Sequence, residues 1–116
     1  MKKLLLGIFL LSQFLVAGTY EAVCVGIDEY QNSWQNNANC SVNNARDMQD
    51  RLINQGFNSV EILENSYATK SNIESAITAM DRDAGNICIY YHSGHGDVPS
   101  STLLESVLYT YSELQK

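Results

Sequence analysis

Two histidines at the end of an apolar run are the side chains of this sequence best suited to chemistry. His92 and His95 lie in the segment 90–96, which reads YYHSGHG and directly follows the apolar residues 87–89. Imidazole titrates near neutral pH, so it can take up and release protons under physiological conditions. The glycine on each side of His95 would let backbone amides approach a reacting atom closely. The segment therefore predicts proton transfer at the end of a strand.

A metal ion is the alternative use of this loop. His92, His95 and Asp97 are close together in the sequence, and an irregular loop can bring such side chains to one point. Their spacing matches no strong zinc signature. We therefore predict neither a metal nor any other cofactor here.

Three apolar runs predict the strands that must position the loop. They cover residues 20–27, 60–63 and 86–91. The first has the continuous hydrophobicity of a strand buried in a parallel sheet. Residues 28–39, which follow it, are polar and rich in asparagine, which predicts a loop.

Two amphipathic patterns between these runs predict helices. Ser41 or Asn43 would cap the first helix, and Gly56 would follow its end at the C′ position. Ser71 and Glu74 form a capping box for the second. The apolar residues at helical spacing are Ala45, Met48, Leu52 and Ile53 in the first helix and Ile73, Ala76, Ile77 and Met80 in the second.

This alternation of strands and helices predicts a parallel sheet with right-handed crossovers. Ligands of such sheets bind beyond the carboxyl ends of the strands. The loops that carry Asp28 and His95 both follow strands, so we expect the site at that edge. The tail, residues 104–111, fits both helical spacing and strand alternation, and we expect a helix there.

The amino terminus has the pattern of a signal peptide. Met1, Lys2 and Lys3 precede a mostly apolar run over residues 4–17, which is short for a membrane span of about 20 residues. Cleavage after residue 18 would leave residues 19–116, enough for one modest domain. We expect export to the periplasm or the outside of the cell, with membrane contact only during export. An uncleaved interfacial or buried helix is the alternative.

Charge and cysteine content restrict the partners and the redox chemistry. The 116 residues include 13 acidic and 7 basic side chains, for a formal net charge of −6. An acidic chain without a basic patch excludes nucleic acid as the expected partner. The three cysteines, Cys24, Cys40 and Cys88, allow one disulfide with a free thiol, or three reduced thiols.

Four blocks, in this order, resemble the caspase and metacaspase family of cysteine peptidases. They are VGIDEY at 25–30, NNARDM at 43–48, ATKSNI at 68–73 and YHSGHG at 91–96. These are similar to the family's first strand and turn, its N-D-A helix, its A-T-x-x-N-I helix and its Y-x-S-G-H-G loop. The resemblance covers about residues 20–97. It implies a three-layer α/β/α caspase-like (flavodoxin-like) parallel sheet, here with about three strands and two or three helices.

The resemblance also implies site residues and a protein or peptide substrate. His95 corresponds to the catalytic histidine, and Gly96 would donate its backbone N–H to the oxyanion hole. Losing one such donor costs about 2.7–4 kcal/mol of transition-state stabilisation. Asn44 and Asp28 would contact the substrate. Asn44 stands where family members that prefer a basic P1 side chain have an acid, and an amide cannot supply that charge.

The family's nucleophile is a cysteine at the end of the next parallel strand, and no such segment occurs between His95 and Lys116. Cys88 precedes His95 along one strand by roughly 23 Å, at about 3.3 Å per extended residue. Cys24 should lie inside the sheet, and only Cys40 lies in a loop at the correct edge. We therefore expect a caspase-like endopeptidase domain that is truncated before its nucleophile and inactive alone.

Two other interpretations remain open. A non-catalytic pseudopeptidase would use the unpaired edge of the third strand to form a homodimer or a heterodimer, since such an edge can recruit another strand. A generic flavodoxin-like domain without peptidase ancestry is the third interpretation.

Overall fold

The computed structural model describes residues 18–31, 39–97 and 107–108. The predicted signal peptide falls, except for Gly18, outside these residues. No helix in the described part of the chain is both long enough and apolar enough to cross a membrane. The elements in chain order are β1 (Tyr20–Gly26), α1 (Ser41–Asn54), β2 (Ser59–Glu64), a 3-10 turn (Asn65–Tyr67), α2 (Lys70–Ala79), β3 (Ile87–Ser93), β4 (Gly96–Asp97) and β5 (Val107–Leu108).

The three longer strands form a parallel sheet in the order β2-β1-β3. Val25 of β1 lies opposite Leu63 of β2 on one side and His92 of β3 on the other. The middle strand is buried on both faces, because residues 22–26 are all buried. The predicted parallel sheet and its three strands are confirmed.

One helix covers each face of the sheet. Val23 and Val25 point to the face covered by α2, while Ala22 and Cys24 point to the face covered by α1. This alternation along β1 produces two apolar cores and the predicted three layers. The α2 core also contains Ile27, Tyr30, Leu63, Ala68, Ile73 and Ala76, and the α1 core also contains Ala45 and Leu52.

The helix starts differ from the sequence prediction. Ser41 is the first residue of α1, and Cys40 at the N-cap position makes no side-chain cap. The Asp28 carboxylate caps this helix instead, because it accepts hydrogen bonds from the backbone N–H groups of Ser41 (2.7 Å) and Val42 (3.3 Å). The prediction of Ser41 or Asn43 as the cap was therefore wrong.

The predicted capping box of the second helix was also wrong. Thr69 is the N-cap residue of α2, and its hydroxyl accepts from the backbone N–H of Asn72 at 3.2 Å. Its extended backbone leads directly into helical geometry at Lys70, two residues upstream of the predicted start. Ser71 therefore lies inside the helix, where its N–H and hydroxyl are not at a capping position.

The predicted end of α1 at Gly56 is confirmed. Phe57 N–H donates to Leu52 O at 3.1 Å, and Gly56 N–H donates to Ile53 O at 3.0 Å. These two bonds form a Schellman motif, whose C′ residue is left-handed. Gly56 has a φ of 90°, a conformation that costs glycine little.

The tail does not form the expected helix at the two positions that the structure describes. Val107 and Leu108 form β5, which pairs antiparallel with Asp97 and Gly96 of β4. β4 directly follows the histidine loop. Pairing with β4 satisfies backbone groups of Val107 and Leu108, so it takes the place of helical hydrogen bonds at these two residues. The other residues of the predicted tail helix lie outside the described part.

Candidate active site

The histidine loop lies at the carboxyl edge of the sheet, as the topology predicted. β3 ends at Ser93, Gly94 and His95 form the loop, and β4 begins at Gly96. A hydrogen bond from Ile27 N–H to Ser93 O, 3.0 Å long, continues the pairing of β1 and β3 to the start of the loop. The position of His95 is therefore fixed on its amino-terminal side by the central strand of the sheet.

Tyr30 contacts His95 in two ways. Its hydroxyl accepts a hydrogen bond from the backbone N–H of His95 at 2.6 Å. The centroids of the phenol and imidazole rings are 5.2 Å apart, with an interplanar angle of 37°. Burial raises the pKa of Tyr30, so the phenol is neutral at physiological pH. The sequence patterns did not indicate that this residue belongs to the site, although it closes the VGIDEY block.

Asp28 lies in the turn between β1 and α1. Both of its carboxylate oxygens accept from the first turn of α1, so the structure gives this side chain a helix-capping role. Its backbone N–H donates to Asn65 Oδ1 at 2.9 Å, and that of Glu29 donates to the same oxygen at 3.1 Å. The prediction that Asp28 contacts substrate stays a prediction.

Asn44 lies beside the histidine loop. Its Nδ2 atom donates to Ser93 Oγ at 3.3 Å and lies 3.8 Å from Cys40 Sγ. The side chain is exposed, as is that of Cys40. The structure therefore places Asn44 and Cys40 at the same edge as His95, and a substrate-binding role of Asn44 stays a prediction.

His92 has a different environment from His95. Its Nδ1 atom lies 2.9 Å from the Tyr90 hydroxyl, while its Nε2 atom is buried and has no hydrogen-bond partner among the described residues. Burial lowers the pKa of His92, so its neutral form predominates at neutral pH. Within the described residues, no group of three or more His, Cys, Asp or Glu side chains is arranged to hold a metal ion.

All three cysteines are free thiols. Cys24 is fully buried in the α1 core, where burial raises the pKa of its thiol. Cys88 lies at the amino end of β3, with its sulfur 3.2 Å from Asp81 O, and His95 follows the other end of that strand. Only Cys40 is both exposed and at the carboxyl edge.

The comparisons with known proteins agree with this architecture. Residues 20–114 match the family model described as the caspase domain. Neither the curated proteins nor the solved structures gave a match. The matched region spans most of the 116 residues and includes every strand and helix described above. The resemblance seen in the four sequence blocks is confirmed: this chain belongs to the caspase domain family.

Proposed function

We propose that this chain supplies the catalytic histidine and one oxyanion-hole donor of a caspase-like cysteine endopeptidase. The observation that supports this most directly is the placement of His95. In a member of the caspase domain family, it follows the end of a parallel strand and lies between two glycines. Proton transfer by a positioned imidazole is the contribution that this placement favours.

The proposed reaction is acyl transfer to a cysteine. His95 takes the thiol proton, and the thiolate sulfur attacks the peptide carbonyl carbon. The Gly96 backbone N–H donates to the oxygen that becomes negatively charged. The C–N bond then breaks as His95 returns the proton to the leaving amine. Water finally attacks the thioester carbonyl carbon as His95 accepts a proton from it. The C–S bond breaks to release the carboxylic acid product, and the proton on His95 returns to the cysteine sulfur.

We further propose that the nucleophile is none of the three cysteines in this sequence. The Cys24 thiol is buried and its raised pKa keeps it protonated. Cys88 lies at the opposite end of β3 from the histidine loop. Cys40 is at the correct edge, but it precedes α1 and faces the Asn44 amide rather than extending from a neighbouring strand. The chain alone should therefore be inactive.

The outer edge of β3 is the place where a nucleophile-bearing strand would bind. Ile87 N–H donates to Thr19 O, and Ser93 O accepts from Ile27 N–H, so both residues face β1. Alternate residues of a parallel strand direct their backbone groups to opposite sides. Cys88, Tyr90 and His92 therefore direct theirs away from β1. A parallel strand bound there would end beside the histidine loop.

Substrate binding is proposed for polar residues at this edge. Asn44 would contact a protein or peptide substrate, and Asp28 would shape the adjoining loop through its cap on α1. An amide offers hydrogen bonds without a net charge, so Asn44 would not favour a basic P1 side chain. Export of the chain, directed by residues 1–18, also remains part of the proposal.

Thiol labelling tests whether the nucleophile lies within this sequence. The purified chain, its His95→Ala variant and a His92→Ala control would be treated with arginyl and aspartyl chloromethyl ketones, and modification of each cysteine followed by mass spectrometry. We expect slow labelling that His95→Ala does not change. Selective labelling of Cys40 that disappears in His95→Ala, but not in His92→Ala, would contradict the proposal.

A non-catalytic binding module is the second candidate function. Ile87 and Tyr90 on β3 are 46% and 39% exposed, and the described residues place no strand on the outer side of β3. Strand pairing between two copies would place side chains of the second copy beside both and cover them in part. Light scattering should then show a dimer that Ile87→Lys weakens. A monomer at every concentration tested would contradict this alternative.

A further inference from the structure

We propose that Tyr30 is the residue that positions the histidine loop, through its hydroxyl at the His95 backbone and its ring against the His95 imidazole. The catalytic meaning of this role rests on the proposed function, but the anchoring itself does not. Tyr30 is separated from His95 by 65 positions in the sequence, so the contact joins the loop after β1 to the loop after β3.

The hydrogen bond determines the backbone position from which the imidazole extends. Tyr30 Oη lies 2.6 Å from the His95 nitrogen, a short distance for a bond from an amide N–H. Because the bond is made by the main chain of His95 itself, it restricts the peptide unit that joins Gly94 to His95. The nearby phenol ring limits the space open to the imidazole on one side.

Tyr30 can serve as an anchor because its own position is fixed. The residue is 6% exposed and packs in the α2 core with Val25 and Ile27. The turn before it is held by Asn65, whose side-chain oxygen accepts from two successive backbone N–H groups. Asn65 is itself in a left-handed conformation, with φ of 45°. The turns that follow β1 and β2 thus fix the position of the phenol.

Gly94 leaves the space that the phenol hydroxyl needs. A Cβ atom at this position would lie 2.6 Å from Tyr30 Oη and 3.1 Å from His92 Nε2. Carbon and oxygen atoms that are not bonded do not approach to 2.6 Å, so any side chain would displace the hydroxyl or the loop. The glycine before His95 therefore permits the contact as well as the tight turn.

The hydroxyl can be tested separately from the ring. Tyr30→Phe removes only the oxygen, and Tyr90→Phe is the matched control because it removes the hydroxyl that contacts His92. Amide exchange of His95 and Val25 would be measured by NMR in the wild-type chain and in both variants. Val25 reports on the sheet as a whole, so the ratio of the two rates isolates the loop.

We expect Tyr30→Phe to accelerate exchange of the His95 amide by about tenfold relative to Val25, the effect of losing one hydrogen bond. Tyr90→Phe should leave the ratio unchanged. Tyr30→Leu, which also removes the ring, should shift the His95 imidazole proton resonances, whereas Tyr30→Phe should largely preserve them. A purely structural role would change the stability of the sheet without this selective response.

Two results would overturn the proposal. One is an unchanged His95 exchange rate in Tyr30→Phe, and the other is an increase no larger than that of Val25. Either would leave the proposed peptidase function untouched, since neither result bears on whether His95 activates a cysteine thiol. Conversely, His95-dependent labelling of Cys40 would revise the source of the nucleophile but not the role of Tyr30.

Discussion

At the scale of single residues, the polar groups around the histidine loop differ in how many of their hydrogen-bonding atoms are already used within the protein. The Asp28 carboxylate uses both oxygens on the N–H groups of α1. Asn44 has an exposed amide beside Ser93, and His92 has a buried ring nitrogen for which the described part of the chain offers no hydrogen-bond partner. Asn44 is thus the better placed of the two predicted substrate contacts, while Asp28 contributes to stability.

The capping role of Asp28 predicts a measurable loss of stability on substitution. Asp28→Ala should lower the free energy of unfolding by about 1 kcal/mol, the typical cost of losing an N-cap side chain. Asp28→Asn keeps one acceptor oxygen and should cost less. Urea unfolding followed by circular dichroism would measure both variants against the wild-type chain. An Asp28→Ala midpoint equal to that of wild type would refute the capping role.

The burial of His92 predicts that the free energy of unfolding decreases as the pH falls. Burial lowers the pKa of His92 from its ordinary value of 6.5, so the unfolded chain binds a proton at a higher pH than the folded chain does. Above the unfolded pKa, both states are neutral and no cost arises. As pH falls below it, the free energy of unfolding decreases until the folded-state pKa is passed.

The comparison of two pH values isolates this contribution. Urea midpoints would be measured at about pH 7.5 and about pH 5.5, on either side of the ordinary histidine range. His92→Gln, which has no titrating group, should lose less stability between these two pH values than wild type does. The same decline in both proteins would show that His92 does not cause it.

At the scale of elements, sequence periodicity identified the three strands and both helices. Apolar runs and helical spacing report burial along one short segment, so they place β1, α1, β2, α2 and β3 well. The caps were missed because they depend on other parts of the chain or on local backbone geometry. Asp28 lies 13 positions before Ser41, whose N–H donates to the Asp28 carboxylate. Sequence patterns for helix caps consider only residues next to the helix, so they do not connect the two.

Local patterns likewise predicted where the candidate site lies but not which residues position it. The order of elements located the edge of the sheet, and the glycine-flanked histidine identified the loop. The contribution of Tyr30 could not be predicted because it depends on contacts across 65 positions in the sequence. Asn65 was missed for the same reason, since its partners, Asp28 and Glu29, follow a different strand. Local sequence patterns therefore cannot identify the residues that position the loop.

The end of α1 provides a test at this scale. Gly56 has a left-handed backbone, and a Cβ atom there would meet no atom of the described residues within 4 Å. Gly56→Ala should therefore lower the free energy of unfolding by about 1–2 kcal/mol through backbone strain alone. Asn54→Ala, in the last turn of the same helix, is the control and should have a much smaller effect. Chemical unfolding would compare them, and equal midpoints for Gly56→Ala and wild type would argue against the Schellman geometry.

At the scale of the whole molecule, the outer side of β3 is a sheet edge close to the histidine loop, and the described residues place no further strand on it. The middle strand is paired on both sides, whereas the backbone groups of Cys88, Tyr90 and His92 face away from it. The same edge serves both proposed functions, since it can accept a strand that carries a nucleophile or a strand that carries none. What distinguishes them is whether His95 changes the reactivity of a thiol bound there.

Strand complementation measures this directly. A synthetic apolar peptide that ends in a cysteine would be added to the wild-type chain, to His95→Ala and to His92→Ala. Fluorescence anisotropy would first establish saturation of binding, and labelling of the peptide cysteine by a peptidyl chloromethyl ketone would then be timed. We expect accelerated labelling with wild type and His92→Ala, and no acceleration with His95→Ala. Equal labelling rates with wild type and His95→Ala at saturation would contradict the catalytic assignment of His95.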